Sequence, residues 1–277
     1  MKSYRTHGDG PIEIVAVHGG PGEFGGMVQL ARTVSDQYGY GVLEPFQTAD
    51  TVMGQVHELR ETMMERVSHP VVMIGHSWGA WLTVVFAATY PSLVRKAILV
   101  GSGPYEHQYY AILRQRREAR FTDDDKRQLA HLDALLSDPG ERPIRDVLRQ
   151  IGALFSRIDN VDLIEEDLGD VEAIDPTILN IQPAYFSGLL NEAMEMRKSG
   201  ELLGYAKKVT CPVVAIHGDY DPHPYEGVQR PLQKHLNHFT GYLIQQCGHN
   251  PWLERHGRDE FYRILDLELA APDASTN

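Results

Sequence analysis

Hydrophobic positions along the chain fall into two textures: short apolar runs without polar interruption, and longer stretches in which apolar residues recur every three or four positions. The uninterrupted runs Val71-Val72-Met73-Ile74, Ala97-Ile98-Leu99-Val100 and Pro212-Val213-Val214-Ala215-Ile216-His217 predict strands buried on both faces, as in a parallel sheet covered by helices. Ile12 to His18 predicts a further strand ending in the turn Gly19-Gly20-Pro21-Gly22. Gly39 to Leu43 predicts a short strand stopped by Pro45, and Tyr242-Leu243-Ile244 the last one. Between these runs, Val56, Leu59, Met63 and Val67 trace one helical face that Pro70 must follow. Leu82, Val85, Phe86 and Thr89 mark a second helix over Ala80 to Tyr90, and a third closes the chain near Asp259 to Leu269.

From Tyr105 to about Tyr205 the rhythm changes to polar, helical sequence with no buried strand. There Thr122 and Asp125 have the spacing of a capping box, Pro139-Gly140 predicts a break, and Asp175-Pro176 predicts a helix start. The expectation is an α/β fold: a mostly parallel central sheet flanked by helices, formed by residues 1–104 and 206–277, with 105–205 inserted as a helical cap.

Charge narrows the partners. Thirty-eight acidic against 26 basic side chains give a formal net charge of −12, a field that repels nucleic acid and anionic membrane. The basic run Arg114, Arg116, Arg117 and Arg120 is offset by Asp123, Asp124 and Asp125 and predicts a solvated helix surface. Cys211 and Cys247 lack the spacing of a disulfide framework, zinc site or redox pair. With no apolar signal core at the N-terminus and no membrane-length apolar run, the expected location is the cytoplasm.

The candidate chemistry lies where predicted strands end. Gly75-His76-Ser77-Trp78-Gly79 falls between an apolar strand and a helix, and its glycines permit a sharp elbow that projects the Ser77 hydroxyl into a cleft. A serine hydroxyl needs a base to become nucleophilic. His249, in Cys247-Gly248-His249-Asn250-Pro251-Trp252 just past the last strand, is placed to be that base; His18 and His76 touch the glycine turns and are expected to shape them. Two carboxylates follow the preceding strand, in Gly218-Asp219-Tyr220-Asp221. Asp221, farther out on the loop, is expected to orient His249, and Asp219 to act as a local turn acceptor. The backbone N–H groups of Gly20 and Trp78 are expected to hold an oxyanion. This set predicts hydrolysis of a small ester or amide through an acyl-enzyme, with a small-molecule substrate and neither metal nor organic cofactor. An aminopeptidase, a cofactorless enzyme of another class and a noncatalytic small-molecule receptor on the same scaffold are the competing expectations.

These motifs resemble the α/β-hydrolase superfamily over nearly the whole chain. Within it, His18-Gly19-Gly20-Pro21-Gly22 and Gly248-His249-Asn250-Pro251-Trp252 are similar to segments of the proline iminopeptidase branch. The resemblance implies a triad of Ser77, Asp221 and His249, oxyanion donors at Gly20 and Trp78, and a helical cap over Tyr105 to Tyr205. The chain departs from that branch at Leu43-Glu44-Pro45-Phe46-Gln47-Thr48-Ala49-Asp50, where such peptidases carry Asp-x-Arg-Gly-x-Gly-x-Ser, and its N-terminal strands look truncated. Glu165, Glu166, Glu172, Glu192 and Glu195 are the cap carboxylates available to hold a substrate ammonium.

Overall fold

The computed structural model of the chain describes residues 3–137, 144–164 and 183–270. Each apolar run becomes a strand of one sheet. The strands β1 (Tyr4–His7), β2 (Ile12–Val17), β3 (Gly41–Pro45), β4 (Val71–His76), β5 (Val94–Val100), β6 (Val213–Gly218) and β7 (Phe239–Ile244) lie in the order β1-β3-β2-β4-β5-β6-β7. Neighbours pair in parallel except β1, which runs antiparallel to β3 at the edge. Parallel neighbours need crossovers, and helices supply them. These are α1 (Val28–Tyr38), α2 (Val52–Arg66) and α3 (Trp78–Thr89), each leading into the next strand. Between β5 and β6 the chain inserts α4 (Tyr110–Arg120), α5 (Asp123–Ser137), α6 (Ile144–Asp159), α7 (Pro183–Ser199) and α8 (Glu201–Ala206). Then α9 (Glu226–His235) links β6 to β7, and α10 (Arg258–Ala270) follows.

The absence of alternation in the strands has a direct cause: both faces are buried. Val15, Val17, Met73, Leu99 and Ala215 pack on one face against Val56, Leu59, Leu82 and Phe86. Ile14, Ala16, Ile74, Val100 and Ile216 pack on the other against Leu30, Val34, Trp252 and Phe261. Thr122 and Asp125 form the reciprocal bonds of a capping box at the start of α5: Thr122 N–H donates to Asp125 Oδ2 at 2.9 Å and Asp125 N–H to Thr122 Oγ1 at 3.2 Å. The break expected at Pro139-Gly140 and the helix start expected at Asp175-Pro176 lie outside the described residues.

Some elements escape the pattern of apolar residues. β1 reads Tyr-Arg-Thr-His, too polar to announce a strand; its Arg5 and His7 meet Glu44, which is fully buried on β3, with His7 Nε2 3.0 Å from Glu44 Oε2. β5 begins at Val94 rather than Ala97 because the buried Lys96 carries its amine out to Glu268 of α10. Among the described residues no helix is long and apolar enough to cross a membrane.

Candidate active site

β2, β4, β5, β6 and β7 are parallel, so their carboxyl ends share one edge of the sheet, and Gly20, Ser77, Trp78, Asp221 and His249 all follow strand ends at that edge. Ser77 joins β4 to α3 with φ 51° and ψ −111°, a backbone state costing a non-glycine residue roughly 1–3 kcal/mol. The surroundings hold it there. Ser77 N–H donates to Val100 O at 2.9 Å, and its glycine neighbours admit no side chain. A Cβ on Gly75 would stand 2.3 Å from Gly79 O, and one on Gly79 2.2 Å from Val17 O. Trp78 is the first residue of α3, where a backbone N–H has no acceptor within the helix. Its indole N–H is fixed by Gln55 Oε1 of α2 at 2.9 Å.

The glycine turn after β2 closes against this elbow. A Cβ on Gly19 would lie 3.0 Å from His76 Nδ1 and 3.4 Å from Ser77 Cβ, so only glycine lets the turn pack so tightly on the serine. Gly20 has φ 108° and a cis bond to Pro21. His18 turns its Nδ1 to Gly19 O at 2.8 Å, and burial holds its imidazole below the ordinary range. His76 Nε2 donates to His249 O at 3.1 Å; burial and then the nearby His249 push its pKa well down, so it is a neutral spacer behind the histidine loop.

Asp221 and His249 meet. His249 Nδ1 lies 2.7 Å from Asp221 Oδ2, and since a carboxylate only accepts, Nδ1 carries the proton and Nε2 is left as the basic nitrogen. Burial opposes the charged imidazole, yet the Asp221 carboxylate outweighs it and the pKa of His249 is raised. Burial likewise opposes the Asp221 charge, but His249, His223 and His217 together hold its carboxyl well below the ordinary range. Asp219 accepts the Cys247 N–H at 3.2 Å and so ties the acid loop to the histidine loop. Behind His249, a Cβ on Gly101 would lie 3.0 Å from its Nδ1, so the loop after β5 backs the ring directly.

Several participants were not singled out in the sequence. His223 donates to Asp221 Oδ1 from its backbone N–H at 2.9 Å and from ring Nδ1 at 2.8 Å, and its ring stacks 4.7 Å from that of His249. Burial pushes its pKa down to about 4, so near neutral pH it is an uncharged donor. Of the basic run on α4, Arg114 is exposed as expected from charge, but Arg116, Arg117 and Arg120 are not a solvated surface. Arg116 donates to Asp221 O at 3.1 Å, Arg120 donates to Tyr220 O and lies over the Tyr220 ring, and Arg117 pairs with Asp159. Asp159 O in turn accepts the His249 N–H at 3.1 Å, while Asn160 Oδ1 accepts the Asn250 N–H at 2.8 Å. The inserted helices thus grip both the acid loop and the histidine loop through backbone groups, which leaves no trace in a motif.

Among the cap carboxylates, Glu192 accepts the Val52 N–H at the start of α2 and Glu195 faces Lys198 on the surface. Glu165, Glu166 and Glu172 lie outside the described residues. A different carboxylate stands at the site. Glu23, exposed overall, folds its carboxyl back so that Oε2 is 2.4 Å from where a Gly19 Cβ would be, the same point that Ser77 Cβ approaches. Burial of that end pushes its carboxyl above the ordinary range, against the pull of His249. The ligand atoms of Asp221, His223 and His249 lie within 4.8 Å of one another, close enough to share a metal ion, but both Nδ1 atoms already bond to Asp221, so a cation would compete with the orientation of His249.

Known proteins agree with this architecture. The chain is 22% identical over 257 residues to a pimeloyl-[acyl-carrier protein] methyl ester esterase of Nitrosomonas europaea, covering 90% of this chain and 92% of that protein. The crystal structure of a Mycobacterium smegmatis proline iminopeptidase superposes with a TM-score of 0.64 at 17% identity, over 96% of this chain and 93% of that one. A 2-hydroxy-6-oxo-6-phenylhexa-2,4-dienoate hydrolase from a Rhodococcus strain gives 0.62 at 22%, over 97% and 94%. Lipase, epoxide hydrolase and lactone-degrading structures match to a similar degree, so no single branch, proline iminopeptidase included, stands out. Residues 14–264 match the model of the "Alpha/beta hydrolase family", from β2 through most of α10, and the chain belongs to that family.

Proposed function

We propose that the chain is a serine hydrolase cleaving a small ester or amide through an acyl-enzyme. What carries this reading is the 2.7 Å pairing of His249 Nδ1 with a buried Asp221, at the same sheet edge as a serine on a strained strand-to-helix elbow, with only β5 between the strands that carry the acid and the serine. Ser77 Oγ attacks the carbonyl carbon while His249 Nε2 takes its proton. The oxygen of the tetrahedral adduct is held by the N–H groups of Gly20 and Trp78. His249 then gives the proton to the departing alcohol or amine as the bond to it breaks, leaving an ester on Ser77. Water, deprotonated by the same nitrogen, attacks that ester; collapse of the second adduct frees the acid and returns the proton to Ser77. Asp221 supports the imidazolium throughout. In this reading residues 105–205 act as a cap that shelters the cleft and fixes both loops.

A fluorophosphonate probe is expected to label the wild-type protein with one equivalent, and a 4-nitrophenyl ester of a short acid to be turned over near neutral pH. Absence of both would leave a noncatalytic receptor as the better description, supported in turn by tight binding of a small carbonyl compound without turnover.

One observation favours a second reading, an aminopeptidase. An ionised Glu23 beside Ser77 opposes the developing oxyanion unless a substrate cation neutralises it, and an α-ammonium stands one bond from the carbon beside the scissile carbonyl. Under this reading Glu23→Gln lowers kcat/KM for free aminoacyl naphthylamides about 10- to 100-fold, mainly through KM. It spares or accelerates N-blocked amides and neutral esters. Equal losses on blocked and free substrates would eliminate the ammonium role.

A further inference from the structure

Among the described residues, Arg197 is a buried guanidinium with no opposite charge beside it. It sits in the last turn of α7, 5% exposed, with its guanidinium carbon 4.5 Å from the centre of the Tyr110 ring and 5.4 Å from that of Trp81. Its Nε has no hydrogen-bond partner, and among the described residues no carboxylate pairs with it. Lys198, next in sequence, has the ordinary fate of a surface cation: it is exposed and faces Glu195. A buried guanidinium is costly unless something compensates it, and two neutral rings supply only part of that.

Its position relative to the reactive serine matters. Trp81 lies one turn beyond Ser77 on α3, its indole N–H donates to Gly103 O at 2.9 Å, and its ring is 6.3 Å from that of Trp78. A Cβ on Gly103 would touch the Trp81 ring at 2.8 Å, just as one on Gly101 would touch the His249 ring. The loop after β5 therefore backs His249 at one residue and Trp81 two residues on. Arg197 reaches from α7 to the Trp81 ring of α3 and the Tyr110 ring of α4. Trp78, Trp81, Leu82, Ala193 and Met196 line a small apolar cavity beside it. A buried cation thus lies against Trp81, a ring that neighbours Trp78 on one side and, through Gly103, the loop that backs His249.

We infer that Arg197 is the anion-binding residue of the substrate pocket, and that the substrate is an ester or amide bearing a carboxylate a few atoms from the scissile carbonyl. The inference rests on the serine hydrolase reading and gives it a substrate class. A planar carboxylate suits the two-donor edge of a guanidinium, and against buried aromatic rings such a pair is held by charge and geometry together.

The test compares charged and neutral partners of similar shape. On the acyl side these are 4-nitrophenyl hemiglutarate and 4-nitrophenyl valerate; on the leaving-group side, 3-carboxyphenyl butyrate and phenyl butyrate. Wild-type protein should favour the charged member of at least one pair in kcat/KM, chiefly through KM. Arg197→Gln should reduce that charged-to-neutral ratio about 10- to 100-fold, and Arg197→Lys should keep part of it. Should the glutamine variant fail to fold, the wild type still decides: glutarate should inhibit valerate ester hydrolysis competitively and glutaramide should not. A wild type that favours neither charged ester, or a preference that survives Arg197→Gln, overturns the inference while leaving the hydrolase intact. Failure of every ester together with absent fluorophosphonate labelling rejects both.

Discussion

Replacing Ser77 with alanine is expected to lower ester turnover by about 10⁴-fold or more and to abolish fluorophosphonate labelling, with the melting temperature close to that of the wild type. The size of the effect follows from what is removed. Alanine cannot form the acyl bond, so any residual rate must come from water attacking a carbonyl polarised by the Gly20 and Trp78 N–H groups. The stability expectation follows from the backbone. At φ 51° serine and alanine are strained alike, and the bond holding the elbow, from Ser77 N–H to Val100 O, belongs to the main chain and survives the substitution. Turnover within tenfold of wild type, or labelling that persists in the alanine variant, would move the nucleophile elsewhere.

The different legibility of fold and site in the sequence has a physical origin. β4, β5 and β6 are readable because a strand buried on both faces carries an apolar run at its centre and confines polar residues such as Lys96, His76 and His217 toward its ends, and the elbow is readable because Gly75 and Gly79 sit where a Cβ would strike backbone atoms. Such constraints are local, and they act on residue type. β1 could not be read, since an antiparallel edge strand needs only a partner with free backbone groups, and Tyr4 to His7 meet that need through β3 whatever their polarity. α9 was hidden by Pro231 within its span.

The site divides in the same way. Ser77, Asp221 and His249 carry chemistry that few residue types supply, and each follows a recognisable strand. Asp219, in the same loop, is sorted from Asp221 only by where the loop bends, and there the geometry separates them: one accepts from Cys247 N–H, the other from His249. The latches on α4 could not be read because Arg116 and Arg120 bind main-chain oxygens of the acid loop, about a hundred residues away in sequence, and any loop has such oxygens. Glu23 is not legible because nothing in Pro21-Gly22-Glu23-Phe24 distinguishes a carboxylate folded back onto the Gly19 turn from one in solvent.

Asp221→Asn is expected to cost about 10⁴-fold in kcat/KM, and the three donors around this carboxylate explain why the conservative change is so damaging. Oδ1 accepts two N–H groups from His223 and Oδ2 accepts Nδ1–H of His249. An asparagine has one oxygen. Turned toward the two His223 donors, it presents its NH2 to His249, whose Nδ1 must then accept, placing the ring proton on Nε2 where Ser77 needs a base. The pH profile carries an independent signature. Under the proposed mechanism the neutral form of His249 is the active one and Asp221 raises its pKa, so kcat/KM of the wild type should climb with pH on a limb centred above 6.5. In the variant, burial is left without its main counterweight, so the residual activity should show that limb shifted to lower pH. Asp219→Asn retains an oxygen for the Cys247 N–H and should cost less than about tenfold, since the base keeps its partner. The sign of the linked stability is set by the same pair. The raised His249 pKa contributes stability below the unfolded value that is lost as pH rises through the folded one. The depressed Asp221 pKa contributes stability above its unfolded value that is lost on acidification. On acidification the wild type should therefore keep its stability until Asp221 protonates below its ordinary value, whereas Asp221→Asn, its His249 held down by burial, should begin to lose stability as pH falls through 6.5. An Asp221→Asn protein within tenfold of wild type at pH 7 to 8, with an unmoved pH limb, would take Asp221 out of the catalytic set.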